Sequence, residues 1–247
     1  MYIMYPEDIT MYQMNNQIGF TAVASDGKLK LYNAAVLMID CCQFQEYEEK
    51  AFCNFLRERA IAVFLSSLQI DIIRMPAFRE KVRTTVKIYD CKSIYGLRRL
   101  TVHDESGALC LIANATGAFF DLNAGKAVKL DPELFPVSFD TAEPMECLPR
   151  KIPVPREGGV DLNTFTVGRS DVDFNGHLTT PVYFAVAADA LPEDFFYDRV
   201  RVEFKQQAKP GDIIIPELFV NGSTAVVDLK SGTGQSFAVA EFSTISG

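Results

Sequence analysis

The sequence predicts an α+β fold given twice, two tandem copies of an antiparallel β-sheet wrapped around a central apolar helix. Three observations predict it. From Tyr32 to Phe44 the only polar residues are Asn33, Asp40 and Gln43, and a helix apolar nearly all round has to be covered on every side. After that helix the apolar period changes from helical to two, the signature of strands with one face buried. Beyond a proline-rich stretch the same order returns: an extended lead-in, a turn, an apolar helix, then alternating strands.

Taken in order, Met11 to Ala24 reads as an extended lead-in that ends in a turn at Ser25-Asp26-Gly27-Lys28, marked by its Asp-Gly pair. The buried helix follows. A shorter helical piece from Glu48 to Arg59 is mixed in polarity and is expected on the surface. In the strands, Ile70 and Ile72 flank Asp71, and Val82, Thr84, Val86 and Ile88 alternate with Lys81, Arg83, Thr85 and Lys87. Leu109, Leu111, Ala113 and Ala115 continue the pattern, with turns at Asp104-Glu105-Ser106-Gly107 and Asn123-Ala124-Gly125. Asp131 to Gly158 holds six of the twelve prolines, which excludes a regular ladder or helix and reads as a linker. In the second half Val200, Val202 and Phe204 oppose Arg201, Glu203 and Lys205. The hairpin signal Asn221-Gly222-Ser223 precedes Ala225, Val227 and Leu229, and Phe237 and Val239 close the chain. The expected organisation is a first domain at 1–135, a linker at 136–158 and a second domain at 159–247.

Composition narrows the class. With 247 residues, 48% hydrophobic and 23% charged, the chain has the makeup of a globular protein, and no apolar run approaches the roughly 20 residues that span a bilayer. Met1 to Asp8 lacks the basic start and apolar core of a secretory signal, so a cytoplasmic location is expected. The net charge of −8 argues against nucleic acid or an anionic membrane as the main partner. Six cysteines form no C-x-x-C pair and there are only two histidines, so reduced, buried thiols and no metal site are expected. No nucleotide loop or redox motif is present, and no cofactor is inferred.

Chemistry concentrates in the stretch from Gly168 to Pro181. Asp173, Asn175 and His177 alternate over five residues, and Gly176 frees the backbone beside the imidazole. Thr180 reads as a helix N-cap with Pro181 at the first helical position, which aims the N-terminus of an apolar helix, Val182 to Leu191, at His177. Aligning the halves matches Gly27 with Gly176 and Asp71 with Glu203. Asp173, Asn175 and His177 then face Ala24, Asp26 and Lys28, which predicts one active site per chain. The bland alternative is that Asp173 and Asn175 only cap the turn and His177 is a satisfied core histidine. His103, beside the Asp104 to Gly107 turn, is expected to be solvated.

A single helix wrapped by an antiparallel sheet, given twice, looks like a double hotdog. In that frame the chain resembles the acyl-ACP thioesterases of plants and bacteria. The matching residues are Arg169-Ser170-Asp171-Val172-Asp173-Phe174-Asn175-Gly176-His177 and Val202-Glu203-Phe204-Lys205, with Gly27-Lys28-Leu29 and Tyr95-Gly96-Leu97-Arg98-Arg99 in the first half. The resemblance runs from about Met11 to Phe242. It implies hydrolysis of the thioester joining a fatty acyl chain to the 4'-phosphopantetheine of acyl carrier protein, with the catalytic Asp, Asn and His falling on Asp173, Asn175 and His177.

Two departures bear on mechanism. Where the family usually has glutamate, followed in plants by cysteine, this chain has Gln207 and Ala208, and Thr179 and Thr180 stand where two asparagines are common. Ala208 offers no nucleophile, so water attacks. Gln207 orients that water but cannot take its proton, which leaves His177 or Asp173 as the base. Backbone N–H groups near Gly176 to Leu178 are expected to hold the oxyanion, so Gly176, Leu178 and Thr179 are candidate contacts to the thioester.

The half without catalytic groups is the expected wall for the acyl chain, with Val36, Ile39, Phe55, Phe64 and Leu68 as candidates. Lys28, Lys30, Arg74, Arg79, Arg98, Arg99, Lys205 and Lys209 are candidates for docking the acidic carrier protein. A monomeric pseudo-dimer and a homodimer are both compatible. Competing readings are an acyl-CoA thioesterase, a hotdog hydratase and a non-catalytic acyl-binding protein. The hydratase motif places a proline and one further residue between Asn and His, whereas only Gly176 stands there in this chain.

Overall fold

The computed structural model describes residues 11–134, 139 and 141–245. Met1 to Asp8, on which the expected location rests, and the expected boundary at 135/136 lie outside the described residues. The first half supplies β1 (Met11–Gln17), α1 (Leu31–Glu48), α2 (Lys50–Glu58), β2 (Ile61–Ile72), β3 (Lys81–Lys92), β4 (Tyr95–Asp104), β5 (Leu109–Asp121) and β6 (Lys126–Ala127). The second supplies β7 (Val160–Asp161), β8 (Phe165–Thr166), α3 (Thr180–Asp189), β9 (Arg199–Phe204), β10 (Ile213–Asn221), β11 (Thr224–Ser231) and β12 (Ser236–Ser243). All strands join one sheet in the order β1-β3-β4-β5-β2-β9-β12-β11-β10-β7, with β6 on β5 and β8 on β10.

The sheet wraps two helices that touch each other, α1 and α3. Ala34, Ala35, Met38 and Cys41 on α1 and Phe184 and Ala187 on α3 are fully buried, so the two halves share one continuous core. The expected duplication is visible in the register. At the seam β2 pairs antiparallel with β9, with Ser67 opposite Glu203, Gln69 opposite Arg201 and Asp71 opposite Arg199. Asp71 and Glu203, matched by the sequence alignment, thus sit symmetrically about the Gln69–Arg201 pair.

Several expectations are revised. The first helix starts at Leu31 and runs to Glu48, four residues past Phe44, where the Glu49 N–H still donates to the Gln45 carbonyl. The piece expected on the surface, α2, buries Phe52 and Leu56 against Phe119 and Ile88 in a second small core. Its polar residues occupy only the opposite face. β2 is not a strand with one wet face, because Leu68, Gln69, Ile70 and Asp71 are all buried.

The proline-rich segment explains that burial. It is more than a linker: residues 141–152 lie along the outer face of the sheet. The Gln69 amide donates to the Glu146 carbonyl (2.8 Å) and accepts from the Leu148 N–H (2.9 Å). The Ile152 N–H donates to Glu203 Oε2 (3.0 Å). Proline removes ladder donors, so the segment covers the sheet without joining it. The cysteines are all free, as expected, but not all buried. Cys41, Cys42, Cys91 and Cys110 are buried, Cys53 is half-buried and Cys147 is exposed.

Candidate active site

The stretch before α3 is a tight turn closed by its own backbone. Val172 and Leu178 form a β-bridge, the Asp173 N–H donates to the His177 carbonyl (2.9 Å), and the Gly176 N–H donates to the Asp173 carbonyl (2.9 Å). Gly176 sits at φ +75°, in the left-handed region that favours glycine. The first half repeats this backbone. Val23 bridges Leu29, the Ala24 N–H donates to Lys28 (2.8 Å), the Gly27 N–H donates to Ala24 (3.0 Å), and Gly27 also has φ +75°. Identical geometry therefore carries Asp173, Asn175 and His177 in one half and Ala24, Asp26 and Lys28 in the other.

Each turn is tied to the loop after the following strand. The Leu29 N–H donates to the Pro76 carbonyl and the Leu178 N–H to the Ala208 carbonyl, both at 2.8 Å. The second bond brings the Gln207 segment alongside the His177 segment. The Ala208 N–H is held as well, donating to the Tyr183 hydroxyl of α3 at 3.1 Å. Burial pushes the Tyr183 phenol above its ordinary pKa, so it stays a neutral acceptor. Tyr183 was not legible as a site residue, because in sequence it is one more bulky residue of an apolar helix.

Side-chain placement corrects several expectations. Asp173 Oδ1 accepts from the backbone N–H groups of Asn175 (2.8 Å) and His177 (3.2 Å), so this carboxylate braces the turn. Asn175 and Gln207 are exposed and His177 is half-buried. The backbone oxyanion site expected over Gly176 to Leu178 is not available: Gly176 N–H is bound to Asp173 O, His177 N–H to Asp173 Oδ1, and Leu178 N–H to Ala208 O. The Thr179 N–H also has a partner, the Asp171 carbonyl (2.9 Å). The N-cap is Thr179 and not Thr180, Pro181 is the second residue of α3, and no side chain caps the helix.

A cavity of about 100 Å³ lies between α1 and the first-half sheet and reaches Thr180, the first residue of α3. Of the expected wall residues Ile39 lines it. Leu68 is solid core, and Phe64 is 38% exposed and meets Phe120 edge-on at 5.5 Å. The reason is the strand period: Val63 and Leu65 point into the cavity, so Phe64 between them points out. Val36 is half-buried away from the cavity, and Phe55 packs in the second core under the Arg59 guanidinium, 3.9 Å from its ring centre.

Three of the expected docking cations are engaged elsewhere. Arg98 lines the cavity, Arg99 is 4% exposed, and Arg74 Nη2 bridges Glu80 Oε1 (2.5 Å) and Asp104 Oδ2 (2.6 Å). Glu80, Asp104 and Cys110 cluster closely enough to suggest a metal site, but that guanidinium already holds both carboxylates. Lys28, Lys30, Arg79, Lys205 and Lys209 are exposed. His103 is half-buried and not simply solvated, and burial lowers its pKa.

Residues 10–137, just over half of the chain, match the family model of the acyl-ACP thioesterase N-terminal domain. The chain belongs to the acyl-ACP thioesterase family. This thioesterase is a thioester hydrolase with a double hotdog fold. Its fold is similar to that of an acyl-ACP thioesterase from Bacteroides thetaiotaomicron, with TM-score 0.85, 20% identity and coverage of 95% of this chain and 97% of that one. It is also similar to the 12:0-ACP thioesterase from Umbellularia californica, with TM-score 0.82, 13% identity and coverage of 95% and 96%. A MaoC-like dehydratase from Phytophthora capsici matches less well, with TM-score 0.53, 13% identity and coverage of 75% and 72%. Comparison with curated protein sequences finds no match. No helix among the described residues is long and apolar enough to cross a membrane.

Proposed function

We propose that this thioesterase hydrolyses the bond between a fatty acyl chain and the phosphopantetheine of acyl carrier protein, releasing free fatty acid, with water as the nucleophile. One observation carries this reading: Thr180, three residues beyond His177, lines the first-half cavity. A tail lodged in that cavity leaves its thioester beside the polar turn.

In this reading Asp173 is a positioning residue, because its Oδ1 is committed to two backbone donors. His177 takes the proton of water and returns it to the leaving thiolate. The exposed amides of Asn175 and Gln207 hold the water and the developing oxyanion, a role the engaged backbone N–H groups cannot fill. One water adds across the acyl carbon–sulfur bond, giving a carboxylic acid and the free pantetheine thiol. Lys205 and Lys209 flank the Gln207 loop and Lys28, Lys30 and Arg79 flank the twin turn, and these cations are the proposed docking face for the acidic carrier.

The test is free-thiol release from acyl-ACP and acyl-CoA panels matched in chain length. Faster turnover of acyl-ACP is expected. A preference for acyl-CoA would reassign the carrier, and failure to cleave either would reject hydrolysis at this turn.

A further inference from the structure

The first-half cavity is not purely hydrocarbon. Val63, Leu65 and Phe119 form apolar wall, but Arg98 and Glu46 line the same space. The Arg98 side chain is 14% exposed, and its hydrogen bonds are loose: Nη1 reaches the Cys42 carbonyl at 3.3 Å and Nη2 reaches Glu46 Oε2 at 3.4 Å. Charge-assisted N–H···O bonds ordinarily close to about 2.7–2.9 Å. A guanidinium has five N–H donors, so beside these two long contacts and the neighbouring Cys42 side chain Arg98 retains the capacity to donate to one more oxygen in the cavity.

A plain alkyl tail laid against this pair gives the guanidinium nothing in return for the water it displaces. A hydroxyl fits the site better, because it accepts from Arg98 and donates to Glu46 at once. An added carboxylate fits worse, since it would meet Glu46 and also Asp90, which lines the cavity and is held by the Cys91 N–H (2.8 Å) and Lys92 (2.7 Å). A keto oxygen engages Arg98 alone. Resting on the acyl-thioester reading above, we propose that this cavity selects acyl chains bearing a hydroxyl, bound between Arg98 and Glu46, over unsubstituted chains of the same length.

The experiment compares kcat/KM of the wild-type enzyme on unsubstituted acyl thioesters and on chains of equal length with the hydroxyl at successive positions. The expected result is a best hydroxyacyl substrate preferred by at least about fivefold, with Arg98→Leu combined with Glu46→Leu lowering kcat/KM on that substrate by a larger factor than on the plain chain, so that the ratio between them falls to about one. Equal or better turnover of unsubstituted chains against every hydroxyl position would overturn the proposal and leave the hydrolase reading intact. Calorimetric binding of the free hydroxy and plain fatty acids to wild-type protein decides the matter independently of turnover or of how the double variant folds. Tighter binding of the hydroxy acids supports the proposal, and equal or weaker binding overturns it.

Discussion

Arg199 grips both carboxylate oxygens of Asp71 across the seam between the two halves, Nε to Oδ1 and Nη2 to Oδ2, each at 2.7 Å. Both side chains are more than nine-tenths buried, and the third contact, Nη1 to Glu146 Oε2 at 2.7 Å, comes from the proline-rich strap. Removing one partner of a buried pair strands the other. Asp71→Leu is expected to cost about 3 kcal/mol, and adding Arg199→Met should recover part of it. Urea denaturation of the single and double variants checks this; a double variant no more stable than the single would refute the stranded-charge account.

Gly27 and Gly176 share φ +75°, and a Cβ at either would meet nothing within 4 Å. The cost of alanine is therefore backbone strain alone, on the order of 1 kcal/mol at each. Gly27→Ala and Gly176→Ala should lower thermal stability by similar amounts, while only Gly176→Ala should reduce turnover, because only its turn bears the polar trio. Equal losses of activity in both would argue against a single working site.

His177→Ala is expected to cut kcat by about 10² to 10⁴, the usual range for losing a general acid–base, with a melting temperature close to wild type since the imidazole is half-buried. Asp173→Ala should lose both activity and turn stability, because two backbone donors lose their acceptor. A His177→Ala enzyme of near-normal turnover would remove the imidazole from the mechanism.

Gln207→Glu supplies a carboxylate where the present side chain only orients water. With the loop pinned through both backbone groups of Ala208, the substitution should raise kcat without moving the fold. Unchanged kcat across the neutral pH range would place Gln207 outside the chemistry, and a lower one would show that its amide N–H is needed as a donor.

Hydrogen bonding from Arg74 holds the Glu80 carboxyl below its ordinary value of 4.5, with the Ala77 N–H assisting. Asp104 is also held low, by Ser106 and then Arg74. Their folded pKa values lie below the unfolded ones, so their contribution is present in full above about pH 4.5 and fades as pH falls through the folded values. Arg74→Met should therefore lower stability at neutral pH and flatten its decline in acid, as read from unfolding midpoints across a pH series. An unaltered acid limb would exclude this cluster as a source of the pH dependence.

Periodicity and turn chemistry were enough to reveal the duplicated helix-and-sheet plan, the matched glycines and the polar stretch from Asp173 to His177, since each is encoded by neighbours in the chain. Partnerships between distant residues are not encoded that way. The Asp71–Arg199 pair, the strap over Gln69, the hold of Tyr183 on Ala208 and the outward turn of Phe64 depend on which strands lie side by side and which face each residue presents. The expected oxyanion donors failed for the same reason: a backbone N–H at a helix start looks free in sequence, and only the folded chain, with Ala208 against Leu178 and the Asp173 side chain folded back on its own turn, shows that it already has a partner.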